Sequence, residues 1–252
     1  MAAPRLRSLP RNVTDVTRVL ACVGGFVQNL PVSPHVVGSL RLERTTPIRE
    51  FFSWPGKRNY EGLYWSSTNR RHVDFESLLE REYLLAADNA PDVIAIAAQP
   101  LALLWPRDTQ GNRDHVPDFF VRLANGDGRL VDVRSPKGAE KHAEQSALTR
   151  KVCDEIGWHY EVFTGLPPEL AHNLRWLAGY RQGRNAPPAV VQESIKHCFA
   201  TPVPLGVGLG VASARTGRSV ELTTANVLHL IWRRKLSADL TRPLSMSSEV
   251  WA

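Results

Sequence analysis

The apolar positions of this chain change character near residue 75. Residues 1–60 are rich in Pro, Arg and Gly and hold no sustained period, so they read as a basic N-terminal extension. The stretch "TTPIREFFSWPGKRNYEG" allows a short strand or two followed by a loop. From Phe75, "FESLLEREYLLAADN" sets Phe75, Leu78, Leu79 and Tyr83 at helical spacing, with Asp74 as the expected N-cap. "VIAIAAQPLALLWP" then predicts a strand, a break at Pro100 and a second strand. "HVPDFFVRLA" and "RLVDVRSP" predict two more, joined by "NGDG" as a hairpin turn. "AEKHAEQSALTRKVCDEIGW" predicts one long helix stopped by Gly157, and "HYEVFTG" a closing strand.

Helix, several strands, helix, strand is the order of an α/β sheet domain with helices on its faces. It is expected over residues 61–181, followed by a linker at 182–189 where "QGRNAPPA" interrupts any helix. Over 190–252, "VVQESIKHCFA" and "TTANVLHLIWRRKL" predict helices, with room for another between them. A terminal hairpin in "KLSADLTRPLSMSSEVWA" completes the pattern of a winged-helix module.

Composition narrows the picture only slightly. The chain has 252 residues, 43% hydrophobic and 22% charged, as in ordinary globular proteins. An excess of 31 Lys+Arg over 25 Asp+Glu suits a polyanionic partner without requiring one. Cys22, Cys153 and Cys198 lack the spacing of a zinc site, and the simple expectation is free thiols in a reducing cytoplasm. The opening residues resemble neither a secretory signal nor a membrane span, since Arg18 and two glycines interrupt the apolar run.

The hairpin poses the chemical question. Its two strands carry Asp118 and Asp132, and Arg134 follows two residues later. Positions i and i+2 of a strand share a face, so Asp132 and Arg134 should lie side by side. Asp118 on the partner strand can complete a pair of oxygen ligands. Mg²⁺ takes one or two carboxylates together with waters and phosphate oxygens. A nearby cation is what phosphodiester hydrolysis needs to stabilise developing negative charge.

"PDFFV" followed by "VDVRSP" resembles the PD-(D/E)xK nuclease signature. The wider order is similar to the TnsA-like endonuclease subunits of heteromeric transposases. That order comprises "FESLLERE", "VIAIAAQPLAL" with its Gln-Pro, the two motif strands, a long helix and "WHYEVFTG". The resemblance runs through roughly residues 60–165, and "VLHLIWRRKLSADLTRPLSMSSEV" resembles the group's C-terminal domain. It implies a restriction-endonuclease-like mixed sheet flanked by helices, plus a small helical domain. It also implies Mg²⁺, with Mn²⁺ able to substitute, and a metal set of Glu80, Asp118 and Asp132. Arg134 stands where the group has a catalytic lysine. Arginine binds phosphate well but stays charged and cannot serve as a base; Lys137 lies three residues on. Partners implied are transposon-end DNA, an integrase-like transposase and an ATPase regulator, with no membrane.

Structural explanations stand beside these roles. Asp118 can cap a strand end, Asp132 and Arg134 can form an exposed ion pair worth about 0.2–1 kcal/mol, and Glu80, like its neighbour Glu76, can be a solvated helix charge. Arg70 and Arg71 before the first helix, Lys137, and Arg233, Arg234 and Lys235 after "HLIW", are candidates for DNA contact, with solvent or a protein partner as alternatives. Two functions compete with the transposase nuclease: a DNA- or partner-binding module on the same fold that has lost turnover, and a related nuclease of repair or restriction.

Overall fold

The computed structural model describes residues 9–48, 60–106 and 114–252. It divides into two compact units, residues 1–88 with 92–165, and residues 89–91 with 166–252. The strands and helices of the first unit are β1 (Arg18–Val23), β2 (Phe26–Pro31), α1 (Pro34–Ser39), β3 (Gly62–Ser66), β4 (Arg71–Phe75), α2 (Leu78–Asn89), β5 (Val93–Ala98), β6 (Leu101–Leu104), β7 (Phe119–Leu123), β8 (Gly128–Val133), α3 (Pro136–Lys141), α4 (Ala143–Ile156) and β9 (His159–Phe163).

The central sheet runs β5-β7-β8-β9. β5, β7 and β8 are antiparallel neighbours, and β9 lies parallel to β8. A parallel neighbour needs a long crossover, and α3 with α4 supplies it. The β7–β8 hairpin forms as expected: Gly126 takes a φ of 95° in its turn, and Asp127 N–H donates to the Asn125 side chain. Register sets Phe119 opposite Val131 and Phe120 opposite Leu130. Gly128 is required by packing, because a Cβ there would meet the Phe120 ring at 2.6 Å and Trp158 at 3.0 Å. Phe120 and Leu130 join Val152, Cys153, Ile156, Trp158 and Tyr160 in one core, so α4 covers this face.

Four expectations change. Residues 9–48 are not a mere extension: β1 and β2 pair around Gly24-Gly25, and β1 also pairs with β6, giving a sheet β2-β1-β6. Val19 and Ala21 alternate inward, but the partner strand is some eighty residues away, which no local pattern announces. The short strand or two expected in "TTPIREFFSWPGKRNYEG" falls largely on residues 49–59, outside the described residues. The segment around Arg70 and Arg71 is a β3–β4 hairpin, and Phe75 ends β4 rather than opening a helix. α2 starts at Leu78 behind Ser77, whose Oγ accepts from Glu80 N–H at 3.1 Å, so Asp74 is not its cap. The long helix is two, α3 capped by Ser135 and α4 ended by Gly157 in the left-handed region, with His142 at the break.

The second unit holds α5 (Pro168–Leu177), α6 (Ala189–Cys198), β10 (Val203–Pro204), α7 (Leu205–Thr216), α8 (Val220–Trp232), β11 (Ser237–Ala238) and β12 (Glu249–Trp251). Its short strands form a sheet β10-β12-β11. The expected linker at 182–189 lies inside this unit, and α5, assigned from sequence to the first domain, belongs to it too. Pro188 is the N-cap of α6, so the paired prolines start a helix instead of marking a boundary. Residues 183–185 form a 3₁₀ turn whose Asn185 carbonyl accepts from Asn226 of α8 at 2.8 Å. Leu230 and Trp232 are core, as their spacing suggested, along with Phe199, Leu205 and Leu209.

Candidate active site

The strand ends of β7 and β8 gather the charged residues of the hairpin. Asp118 immediately precedes β7, and its Oδ2 accepts the backbone N–H of Val133 at 2.6 Å. Its main chain is also fixed, because Gln99 N–H donates to the Asp118 carbonyl at 2.9 Å. Gln99 reaches that bond with a φ of 42°, a sparsely populated conformation for a non-glycine residue, and its own carbonyl accepts from Ile48 N–H. The Gln-Pro break between β5 and β6 therefore sets the backbone at Asp118.

Asp132 is wholly buried. Tyr160 of β9 donates its hydroxyl to Oδ2 at 2.5 Å, His115 Nε2 lies 3.0 Å from the same oxygen, and an Arg134 guanidinium nitrogen lies 3.5 Å from it. Asp132 and Arg134 thus do share a face, but in the interior and not on an exposed sheet. Arg134 also donates to Gln145 Oε1 of α4 at 3.3 Å, and its backbone N–H to the Phe163 carbonyl. The buried polar atoms without a hydrogen-bond partner include Asp132 Oδ1, Arg134 Nε and His115 Nε2, the last lying close to Asp132 Oδ2 without the alignment of a hydrogen bond.

The two aspartates are pushed in opposite directions. Burial raises the Asp118 carboxyl to about 7; the Val133 N–H opposes this, while the charges of Glu80 and Asp132 add to it. Burial also acts upward on Asp132, but His115, Tyr160 and Arg134 outweigh it and hold that carboxyl below its usual value. Glu80 is therefore near enough to be felt at Asp118. Its oxygens, however, accept from Glu76 N–H and from Ser77 Oγ, both at 2.8 Å. With Ser77 accepting from Glu80 N–H, the pair closes the start of α2 in a variant of the capping box in which Glu80 reaches the N–H of Glu76 instead of that of Ser77.

Among the described residues no three of His, Cys, Asp and Glu converge as a ready-made metal cage. The donor set that does fit a small divalent cation is Asp118 with Asp132. Each commits Oδ2 to protein donors, which leaves Oδ1 of Asp132 unpartnered and its lone pairs open to a cation. Two carboxylates are the number Mg²⁺ uses when waters and phosphate complete its shell.

The expected DNA contacts are scattered. Arg70 is exposed in the β3–β4 turn with a φ of 54°, and Arg71 donates to the Glu43 carbonyl at 2.6 Å. Lys137 is exposed in α3. In the second unit Arg233, Arg234 and Lys235 follow α8, and their backbone N–H groups close its last turn. The Arg234 side chain donates to Asn89 Oδ1 at 2.6 Å. His115 and Tyr160 were not among the sequence candidates. His115 sits two residues before the Pro-Asp pair and Tyr160 sits in the aromatic closing strand, so adjacency to the motif was the available signal.

The first unit thus brings two aspartates and an arginine together at adjacent strand ends. Residues 90–165 match the model of the family described as TnsA-like endonuclease N terminal. The matched segment contains Asp118, Asp132 and Arg134 but not Glu80, and it supports the TnsA-like nuclease domain recognised from the motifs. No curated protein matches the chain.

Proposed function

We propose that the first unit is a metal-dependent DNA endonuclease acting at transposon ends, one subunit of a heteromeric transposase. The observation that carries this is the buried, unpartnered Oδ1 of Asp132, a carboxylate that meets Arg134 through Oδ2 and whose charge is felt at Asp118, on a segment that matches the TnsA-like endonuclease model. Asp118 and Asp132 would hold Mg²⁺ or Mn²⁺. A divalent cation bound there supplies Lewis-acid polarisation of the scissile phosphate and a more acidic water. Arg134 keeps its charge at any working pH, so it serves as a donor to phosphate oxygens and not as a base. Its unpartnered Nε leaves one N–H for that purpose. Glu80 contributes negative charge at the helix start and caps α2. The winged-helix-like module of the second unit, with Arg233 and Lys235, and Arg70 and Lys137 in the first, would add contacts to the DNA backbone.

One observation favours the binding-module reading. Arg134 is already engaged by Asp132 and Gln145, so its cation is partly spent within the protein. A plasmid-nicking assay with Mg²⁺ or Mn²⁺ separates the two, run on the chain alone and with a transposase and an ATPase regulator. Metal-dependent nicking that is lost in Asp118→Ala is the expected result. Silence of the native chain in both mixtures, with nicking appearing in Arg134→Lys, would establish the disabled site instead.

A further inference from the structure

The donors on Asp132 are distributed in a way that burial alone does not explain. A buried carboxylate that serves only structure has both oxygens satisfied, since an unpaired buried acceptor is costly. Here the Tyr160 hydroxyl donates to Oδ2 at 2.5 Å, His115 Nε2 and the Arg134 guanidinium crowd the same oxygen at 3.0 and 3.5 Å, His115 without hydrogen-bond alignment, and none serves Oδ1.

The two uncharged-capable donors are themselves held rigidly. His115 exchanges both backbone hydrogen bonds with Leu103 of β6, at 2.7 and 2.9 Å, and its ring lies nearly parallel to Trp105, 6.5 Å between centroids. Tyr160 sits within the β8–β9 pairing opposite Leu130, and the Arg150 guanidinium covers its ring at 5.2 Å. Both side chains are buried. Tyr160 of β9 and His115, bridged to Leu103, therefore hold one oxygen of Asp132, while the other stays buried without a partner.

We infer that His115 and Tyr160 are positioning residues, a clamp on Asp132 Oδ2 that presents Oδ1 as a single, pre-oriented oxygen to a divalent cation. This deepens the proposed function and rests on it. Residues that orient a metal ligand through its other atom typically contribute 10–100-fold to metal affinity. The clamp also makes Asp132 a one-oxygen ligand, as suits a small octahedral ion better than a larger one that takes a carboxylate through both oxygens.

The test uses the full chain, free of metal and DNA, with Mn²⁺ binding measured by calorimetry and the melting temperature followed in parallel. Variants are Tyr160→Phe, His115→Leu and His115→Gln, with Asp118→Ala as the reference. Tyr160→Phe and His115→Leu should each weaken Mn²⁺ binding by about 10–100-fold. His115→Gln, which keeps an N–H near the Nε2 position, should recover most of the loss. In nicking assays the same variants should raise the half-saturating Mn²⁺ concentration more than they lower the rate at saturating Mn²⁺.

Affinity in Tyr160→Phe and His115→Leu within twofold of the native chain, while Asp118→Ala loses binding, overturns the clamp and leaves the nuclease reading standing. A lowered melting temperature with unchanged Mn²⁺ affinity does the same, by showing a purely structural role. Should His115→Leu fail to fold, Tyr160→Phe, which removes one oxygen atom, still decides the matter. A native chain that neither binds Mn²⁺ nor nicks DNA overturns both the clamp and the reading beneath it.

Discussion

Two charged clusters caught attention in this sequence, the Asp118–Arg134 hairpin and the Arg233–Lys235 run, and the fold treats them differently. In the hairpin, charge is taken out of water: Asp132 is wholly buried, and Asp118 is pushed to about 7 by burial and by neighbouring acids. After α8, the three basic residues are exposed, and their backbone groups do conventional work in ending a helix. What separates the clusters is the extent of desolvation, because a buried charged group with an unpaired acceptor has to be matched by a partner.

The comparison is tested most severely at the aspartates. Asp118→Ala or Asp132→Ala should abolish metal-dependent nicking, a loss of at least about 100-fold given what even indirect contacts to a metal contribute. Melting curves should confirm that the variants remain folded. Retained nicking in either variant would move the site elsewhere.

Glu80→Gln asks which side of the comparison Glu80 belongs to. Glutamine can fill the same place in a capping box, so α2 should keep its start and the melting temperature should stay near that of the native chain. As a cap that merely lends charge, Glu80→Gln should change the nicking rate by less than about tenfold, because no metal ligand is lost. A loss as large as that of Asp118→Ala would make Glu80 a ligand after all, and the capping contacts a feature of the metal-free state.

The hairpin was the most legible part of the fold. Alternation, the "NGDG" turn and the motif spacing carry β7, β8 and the shared face of Asp132 and Arg134, because hairpin pairing is local and register follows from the turn. Strands β1 and β2 were missed because β1 finds its second partner in β6, and a two-residue periodicity inside a Pro- and Arg-rich stretch is weak evidence. The start of α2 was misplaced since Phe75 and Leu78 fit a helical period that the β3–β4 pairing overrides. His115 and Tyr160 could not be connected to Asp132 from sequence: one reaches it through a bridge to Leu103, the other through parallel pairing, and both are long-range events. The paired prolines suggested a boundary for a sound local reason, yet proline is as well suited to open a helix.

The pH response should separate the two aspartates without any mutation in the first instance. An unfolded Asp titrates near its ordinary value of about 3.9, whereas folded Asp118 titrates at about 7. Between these values the folded chain holds a proton that the unfolded chain releases, so this group's contribution to stability falls as pH rises across the window and levels off above it. Asp132 has the opposite sign: its stabilisation is present above the unfolded value and is lost as pH falls through its lowered folded one. Thermal melts of the metal-free chain from pH 4.5 to 7.5, beside Asp118→Asn, isolate the first effect, since the variant should flatten that part of the profile. Mn²⁺, which must displace the Asp118 proton, should bind more tightly as pH rises through about 7. A profile unchanged by Asp118→Asn would show that this carboxyl titrates normally.

The smallest effects belong to the basic run, and they divide it. Arg233 has an exposed side chain, so Arg233→Ala should leave the melting temperature unchanged. If that side chain meets a DNA phosphate, it should weaken binding about equally for all sequences and lower the slope of log affinity against log salt by about one. Arg234 differs from its neighbour by the 2.6 Å bond to Asn89 and by a φ of 54°. Arg234→Ala removes a hydrogen bond from a charged donor, an interaction of about 1.5–3 kcal/mol at most when well buried and less here, where the residue is partly exposed. Its signature should be a lowered melting temperature with an unchanged salt slope. A salt slope that falls in Arg234→Ala and not in Arg233→Ala would reverse the assignment and show that burial, decisive in the hairpin, is no guide to function in this turn.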